Sequence, residues 1–568
     1  MAQSTRRAVI AWLLGVIAVF GAARAVALPE HCEPAKESER VAAATAAVHW
    51  LVGNQRDDGR FLYRYDVVRE VAVSGYNWVR HAGAMMALAQ AANAGIDIGD
   101  SFDQAFDAIR GRVVEDVTSG RSAVEDAGSV TTGGSALLLL ALLEHRVGGD
   151  RTHDTMIQAL AAFVESSVVP SSFGDGSLAV REVADTSMRF DPGSTGPFTT
   201  GEVAYALAAY ATRFPSPQLE ETVHGVLGYL VHHKAVIEGY VPDMADHWAA
   251  YAMSEMTRWS DGGSFTDDEI AWARKQMGLV SVMVRYESQR SNRGVDRWLR
   301  GRTSVGSAVG THGEMLSGWL TLADAVPELA EQTGGLADRL RCNMATLVDR
   351  QISSAESARF PDPARARGSW TWFGVTQVDD QQHSLSALVR GGNVLDSGIV
   401  ERQVALPSSW LLVLMAMVVV LNPWRVARAA KRAPRPRLHS RARVFVVYLL
   451  AVIAGSTVLD WLDTSVPTAV VAAGVVMVLG SLATLPRTRV DPTSTMAALR
   501  AEAVMLAVAC GAGGRGWAVV GGVLVSLMIA SRAARRTPER SLVWWSRTSA
   551  TAAAVAGVML IVSGVFAV

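Results

Sequence analysis

From about residue 28 to 403 apolar positions recur at helical spacing, in runs that begin near Glu37, Tyr76, Ser101, Thr131, Thr152, Thr199, Gln218, Asp243, Asp267, Gly306, Pro327 and Val378. That periodicity predicts about twelve helices. The odd-numbered runs are amphipathic, as in Phe102, Phe106, Ile109 and Val113. The even-numbered runs are apolar or small nearly all round, as from Ala136 to Leu143 and from Val203 to Ala211. A helix apolar on every side is buried, and one with a single apolar stripe covers it. Alternating outer and inner helices in six pairs describe an all-α, (α/α)6 toroid. Strand alternation is scarce; Phe61 to Tyr65 is the best candidate, as a short hairpin edge.

Polar clusters interrupt the pattern where the buried runs begin. They are Tyr76 to His81, Thr131 to Gly134, Thr199 to Glu202, Asp243 to His247, Gly310 to Glu314 and Asp379 to His383. Three share the spacing i, i+3, i+4: Asn77/Arg80/His81, Asp243/Asp246/His247 and Asp379/Gln382/His383. On a helix this spacing puts all three side chains on one face. Polar groups at the same end of every inner helix would line one pocket. Inner-helix N-termini also favour carboxylates and anionic ligands.

After about residue 404 the character changes. Apolar segments run at roughly 406–423, 444–462, 465–485, 497–513, 516–531 and 549–568. Most approach the ~20 residues that span hydrocarbon, which predicts about six transmembrane helices. Basic stretches at 425–443, 487–489 and 532–540 fall on one side if the segments alternate, and that side is cytoplasmic. Arg6 and Arg7, an apolar stretch from Ala8 to Ala22 and small-residue sites near Ala27 read as a signal peptide or signal anchor. The expected organisation is therefore 1–27 export signal, 28–403 extracytoplasmic toroid and 404–568 membrane domain, in a multi-pass cell-membrane protein.

Charge and cysteine content narrow the classes. A formal net charge of −1 excludes a global nucleic-acid footprint. Of three cysteines, Cys32 and Cys342 lie in the exported part, where a disulfide is chemically permitted; two buried thiols are the other option. No Cys-x-x-Cys, phosphate loop or serine-elbow pattern occurs.

The segment Trp50-Leu51-Val52-Gly53-Asn54-Gln55-Arg56-Asp57-Asp58-Gly59-Arg60-Phe61 resembles the end of an outer helix in α/α-toroid enzymes: six-hairpin glycosidases, glycan epimerases and lyases, and terpenoid cyclases. The resemblance covers residues 38–392 as architecture. It implies an active site where the inner helices begin. The run of several aspartates typical of the cyclases is absent, and the Gln/Trp repeat occurs once.

The candidate catalytic set is Glu202, Asp246, His247, Glu314, Asp379, Asp380, His81 and His383; the candidate substrate-binding set is Asn77, Arg80, His312, Trp370, Trp372 and Gln382. A carboxylic acid in an apolar setting holds its proton and can donate it. A second carboxylate can activate water, and imidazoles can move protons either way. Each residue also has a structural reading: Asn77, Asp243, Asp379 and Asp380 as helix caps, Arg80 and His81 as interhelical hydrogen bonders, Glu202 and Glu314 as buried ion pairs. No cofactor is expected, although His81, His247, His312 and His383 with nearby Asp admit a divalent metal. In the membrane segments, Asp460, Asp463, Arg500 and Glu502 read as interfacial. The expected function is glycan or glycolipid processing by acid/base chemistry, of hydrolase, epimerase or lyase type, with the lipid bilayer as the other partner. The alternatives are a non-catalytic envelope-polymer binding or assembly protein and a prenyl-handling toroid.

Overall fold

A computed structural model of the chain describes residues 34–397 apart from 195, 197, 235–245, 289–305 and 373. The export signal, Cys32, Asp243 and the six apolar segments after residue 404 lie outside the described residues. Among the described residues no helix is long and apolar enough to cross a membrane.

The described residues contain twelve helices of ten residues or more: α1 (Glu37–Gly53), α2 (Trp78–Asn93), α3 (Ser101–Arg110), α4 (Thr132–Val147), α5 (Asp154–Ser166), α6 (Thr199–Arg213), α7 (Pro217–His232), α8 (His247–Met256), α9 (Asp267–Ser288), α10 (Gly306–Ala325), α11 (Thr333–Arg350) and α12 (Val378–Asp396). The even-numbered helices form a closed ring. α2 packs on α4, α4 on α6, α6 on α8, α8 on α10 and α10 on α12, and α12 returns to α2. Outside it, α3, α5 and α7 back α2, α4 and α6; α9 and α11 back α10, and α1 backs α12. The architecture is an (α/α)6 toroid.

Burial follows the hydrophobic pattern. Every residue of α4 from Thr132 to Leu143 is buried, as is every residue of α8. On outer α3 only one stripe is buried: Phe102, Ala105, Phe106 and Ile109, with Ser101 at the start. Local chemistry sets the helix starts. The Asn77 carboxamide accepts the Arg80 amide (2.9 Å) and the Asp246 carboxylate accepts the Ala249 amide (3.1 Å), each filling an orphan donor of a first turn.

The segment that carries the toroid resemblance forms a stapled turn. The Gln55 amide donates to the carbonyls of Gly59 (2.9 Å) and Ser101 (3.0 Å), and its oxygen accepts from the Ser101 hydroxyl (2.6 Å). Gly59 sits at φ +78° against the Gln104 carbonyl, so a side chain there would meet both strain and a clash.

Strands are more numerous than the scarce alternation implies. Ten short ones occur among the described residues: β1 (Arg64–Asp66), β2 (Val71–Ala72), β3 (Val113–Asp116), β4 (Arg121–Asp126), β5 (Ser129–Thr131), β6 (Val168–Pro170), β7 (Leu178–Val180), β8 (Val183–Ala184), β9 (Thr371–Trp372) and β10 (Val375–Gln377). They form sheets in the orders β2-β1-β10-β9, β3-β4-β5-β8 and β6-β7, all antiparallel. At two to six residues each they are too short for period-2 patterning to register. They precede inner helices, and the β1–β10 pairing joins the approach to α2 with the approach to α12. The ring is thus tied shut at the end where the polar clusters lie.

Candidate functional site

The first halves of the inner helices converge on one polar ring. On α2, the Arg80 guanidinium Nε donates to the Asp379 carboxylate of α12 at 3.1 Å, and another of its nitrogens donates to the Tyr63 hydroxyl at 2.8 Å. Asp379 also lies 3.6 Å from His383 Nε2, one helical turn on. His383 Nδ1 bonds Glu314 Oε2 of α10 at 2.6 Å. That same oxygen stands 3.8 Å from His247 Nε2 on α8. The His247 and His383 rings are 5.1 Å apart and nearly perpendicular, at 88°. Beside His247, Asp246 is gripped by Lys234 at 2.5 Å. Its carboxylate abuts Gly201 of α6, next to Glu202. Glu202 in turn lies against Gly133 of α4. All six inner helices contribute.

Glycines make this convergence possible. A methyl group at Gly133 would collide with the Glu202 carboxylate, one at Gly201 with the Asp246 carboxylate and one at Gly310 with the His383 backbone. Gly83 of α2 likewise leaves space for the Gln382 carboxamide. Thus Thr131 to Gly134, a cluster with no ionisable group, admits the neighbour's acid.

The electrostatics separate the two imidazoles. Burial opposes charge on His383, but Glu314, with attraction and a hydrogen bond, and then Asp379 and Asp380 outweigh it and raise the ring to about 9. Burial also dominates at His247; Glu314 pulls the other way, but His383, Lys234 and His312 add to the burial, and the ring falls to about 3. At neutral pH His383 carries its proton and His247 does not. Glu202 is raised to about 8, by burial first and then by the charges of Asp246 and Glu182, so it is protonated. Among the buried polar atoms without a hydrogen-bond partner within the described residues are His247 Nε2 and Glu314 Oε1. Both atoms face the ring with hydrogen-bonding capacity unused by the protein.

Of the other expected residues, some lie away from the ring and some border it. His81 points outward: Nδ1 meets the Tyr76 hydroxyl (2.6 Å) and Nε2 the Ala105 carbonyl of outer α3 (2.9 Å). Both ring nitrogens are occupied, and burial holds its pKa near 4. The shared i, i+3, i+4 spacing misled here, because α2 meets an outer helix as well as the lumen. Trp370 is 0% exposed and donates its indole N–H to the Leu347 carbonyl (2.9 Å), so it is a core anchor and not a stacking platform. Trp372, two residues on, is 62% exposed. Asn77 is the cap of α2. Asp380 is buried on α12 and its charge acts on His383. His312 is enclosed on α10, where burial lowers it to about 4, and its Nδ1 has no hydrogen-bond partner among the described residues. Gln382 Oε1 is likewise without one.

Lys234, Glu182 and Tyr63 belong to the ring's surroundings without a sequence signal. They lie at the end of an outer helix and in the strand loops, where no periodicity singles them out. Trp248, packed on His247 at 4.1 Å, could have been found as its immediate neighbour.

The donor atoms of His247, Glu314 and His383 lie within 4.8 Å of one another, a set that could hold a divalent ion. The short His383–Glu314 hydrogen bond would have to give way to it.

Two turns on from His383, Arg390 links α12 to the opposite inner helices. It reaches away from the neighbours of α12 to the Tyr205 hydroxyl of α6, to Glu144 of α4 at 3.7 Å, and over the Tyr251 ring of α8 at 4.0 Å.

Fold and site together define a closed (α/α)6 toroid with an acid/base ring at the inner-helix starts. No protein-family model matches the chain, and no curated protein matches it. Solved structures do. A cellobiose 2-epimerase from Spirochaeta thermophila DSM 6192 aligns over 64% of this chain and 97% of its own, at 15% identity and a TM-score of 0.45. A sugar epimerase from a ruminal bacterium aligns over 63% and 98%, at 12% identity and a TM-score of 0.43. A family 76 glycoside hydrolase (mannosidase) from Bacteroides thetaiotaomicron VPI-5482 aligns over 64% and 99%, at 10% identity and a TM-score of 0.42.

Proposed function

We propose that the toroid is a glycan-processing acid/base enzyme in which His383 donates a proton and His247 accepts one, as epimerisation or isomerisation of a sugar requires. The observation that carries this reading is the facing pair of imidazoles, 5.1 Å apart, with opposite protonation at neutral pH. Groups whose environments push their pKa values apart are suited to the two halves of proton transfer. A carbon acid beside a carbonyl would lose its proton to His247, while His383 gives one to the developing enolate oxygen. Glu314 borders both rings, so it stabilises whichever imidazole is cationic as charge moves. Exposed Trp372, beside the strand that leads into α12, offers a face on which a sugar ring can stack.

A second reading rests on Glu202. Held protonated beside the Asp246 carboxylate, it has the character of a glycosidase general acid. Deuterium separates the two. The purified chain is incubated in D2O with reducing disaccharides and with mannan- and glucan-type oligosaccharides, and products are read by NMR and mass spectrometry. A carbon-bound deuteron in an uncleaved product supports epimerisation. New reducing ends without such a deuteron would transfer the role to Glu202 and Asp246. Tight glycan binding with neither outcome would sink the enzymatic reading in favour of a binding module.

We further propose that this domain works outside the cell, tethered by the six apolar segments after residue 404, on a surface glycan or glycolipid. The support is the export-type N-terminus and the one-sided distribution of arginine between those segments. Protease accessibility of the toroid on intact cells tests it; complete protection until lysis would refute it.

A further inference from the structure

A second cluster of ligand-type side chains lies far from the polar ring. His145 ends inner helix α4, Asp150 sits in the turn that follows, and His153 immediately precedes outer helix α5. His145 is twelve residues along α4 from Gly133, the residue that receives Glu202; at ~1.5 Å per residue that is about 18 Å toward the other end of the toroid. Gly148 and Gly149 separate the two helices, and Gly149 adopts φ +99°, so the chain reverses tightly enough to bring both histidines together.

One ligand atom from each of His145, Asp150 and His153 lies within 4.8 Å of the others. His145 Nδ1 stands 3.7 Å from Asp150 Oδ2, too far for a hydrogen bond. Two ligands of a tetrahedral ion with bonds of ~2.0 Å are roughly 3.3 Å apart, so this spacing suits a shared ion better than a shared proton. The rings are held in place independently of any ligand. His145 stacks on Phe102 at 4.2 Å and 10°, and His153 packs on Phe106 at 4.3 Å. Both phenylalanines come from the buried stripe of α3. Asp150 is oriented by the Thr152 amide, which donates to its other oxygen at 2.7 Å.

We propose that His145, Asp150 and His153 form a binding site for a borderline divalent transition-metal ion of the Zn2+ class, which pins the α4–α5 turn. Two imidazole nitrogens and one carboxylate oxygen are the donor set such ions take. Mg2+ and Ca2+ call for oxygen ligands in greater number. Three protein ligands leave a position for water, and the half-exposed Asp150 leaves a route for the ion to enter. His153 is depressed by burial and then by His145, and Asp150 is held below the usual carboxylate range by Thr152. Metal and protons therefore compete, and binding weakens as pH falls.

The test uses the untagged full-length chain, stripped with a chelator and titrated with Zn2+ by calorimetry. Wild type is expected to take up an equivalent of Zn2+ that the double variant His145→Ala/His153→Ala lacks. A His247→Asn/His383→Asn variant retains it, which separates this site from the donors in the polar ring. Asp150→Asn, which leaves the packed rings untouched, weakens the same equivalent by about tenfold or more. It decides the matter should the double variant fail to fold. Co2+ in place of Zn2+ should give the visible absorption of a low-coordinate nitrogen/oxygen site in wild type and lose it in Asp150→Asn. Uptake of Zn2+ identical in wild type and Asp150→Asn, or no uptake by wild type, overturns the proposal.

Discussion

His383 and Glu314 share a 2.6 Å hydrogen bond between α12 and α10, and this contact keeps one of two facing imidazoles protonated while the other is neutral. Replacing the carboxylate by an amide removes both the charge attraction and the charged hydrogen bond. In Glu314→Gln the His383 ring should therefore titrate well below about 9, as read by NMR of the imidazole. Turnover in the deuterium assay should fall by about a hundredfold or more, the usual worth of a positioned acid or base. An unchanged His383 titration would show that Glu314 does not set its charge.

Stability should be highest at mildly acidic pH and decline on both sides. His383 is raised from 6.5 to about 9, so its contribution is full below 6.5 and is lost as pH climbs through about 9. Glu202, raised from 4.5 to about 8, acts in the same sense, with its loss falling between those values. His247 is lowered from 6.5 to about 3, so its contribution is present above 6.5 and lost as pH falls toward 3. From 4.5 to 6.5 the Glu202 and His247 contributions oppose each other, so denaturant midpoints should be highest there and fall on either side. In Glu202→Gln the plateau should narrow to a maximum near 6.5 and the alkaline decline should become shallower, carried by His383 alone.

Glycines 133 and 201 should resist substitution despite lying on helices. An added methyl would strike the Glu202 and Asp246 carboxylates, so Gly133→Ala and Gly201→Ala should each cost ~1–3 kcal/mol and lower activity. Gly53, at the end of α1 with open space around it, is the control. Gly53→Ala should be neutral or stabilise by up to ~1 kcal/mol, because it restricts the unfolded chain. Equilibrium unfolding compares all three.

Two tryptophans a single residue apart should behave oppositely. Trp370→Ala empties a fully buried site and loses the indole bond to Leu347, for a cost of ~3–5 kcal/mol. Trp372→Ala should leave the unfolding midpoint in place and weaken glycan binding. A loss of stability in both, with binding intact in Trp372→Ala, would place the exposed ring outside the recognition surface.

Further along α12, Arg390→Ala should cost ~3–5 kcal/mol by stranding Glu144 and the Tyr205 hydroxyl. Arg390→Lys should recover only part of this. An ammonium cannot span the lumen with the same flat fork over Tyr251. Thermal or denaturant unfolding of both variants is the readout.

Helix number, helix order and the division into inner and outer layers were legible in the chain. They depend on local periodicity: α4 reads as buried because Ala136 to Leu143 offers no polar face, and α3 reads as outer because only one stripe is apolar. The same local signal placed polar groups at the inner-helix starts. Only the tertiary structure decided which of those groups meet. His81 and His383 occupy the same place in their i, i+3, i+4 triplets, yet one turns to the Ala105 carbonyl of an outer helix and the other to Glu314 across the pocket. Spacing fixes a face of a helix but not what that face confronts. The different protonation of His247 and His383, the clearance of Glu202 against Gly133 and the Arg390–Glu144 pair all arise between helices distant in sequence. Burial and Coulomb interaction there depend on distances that no single helix contains.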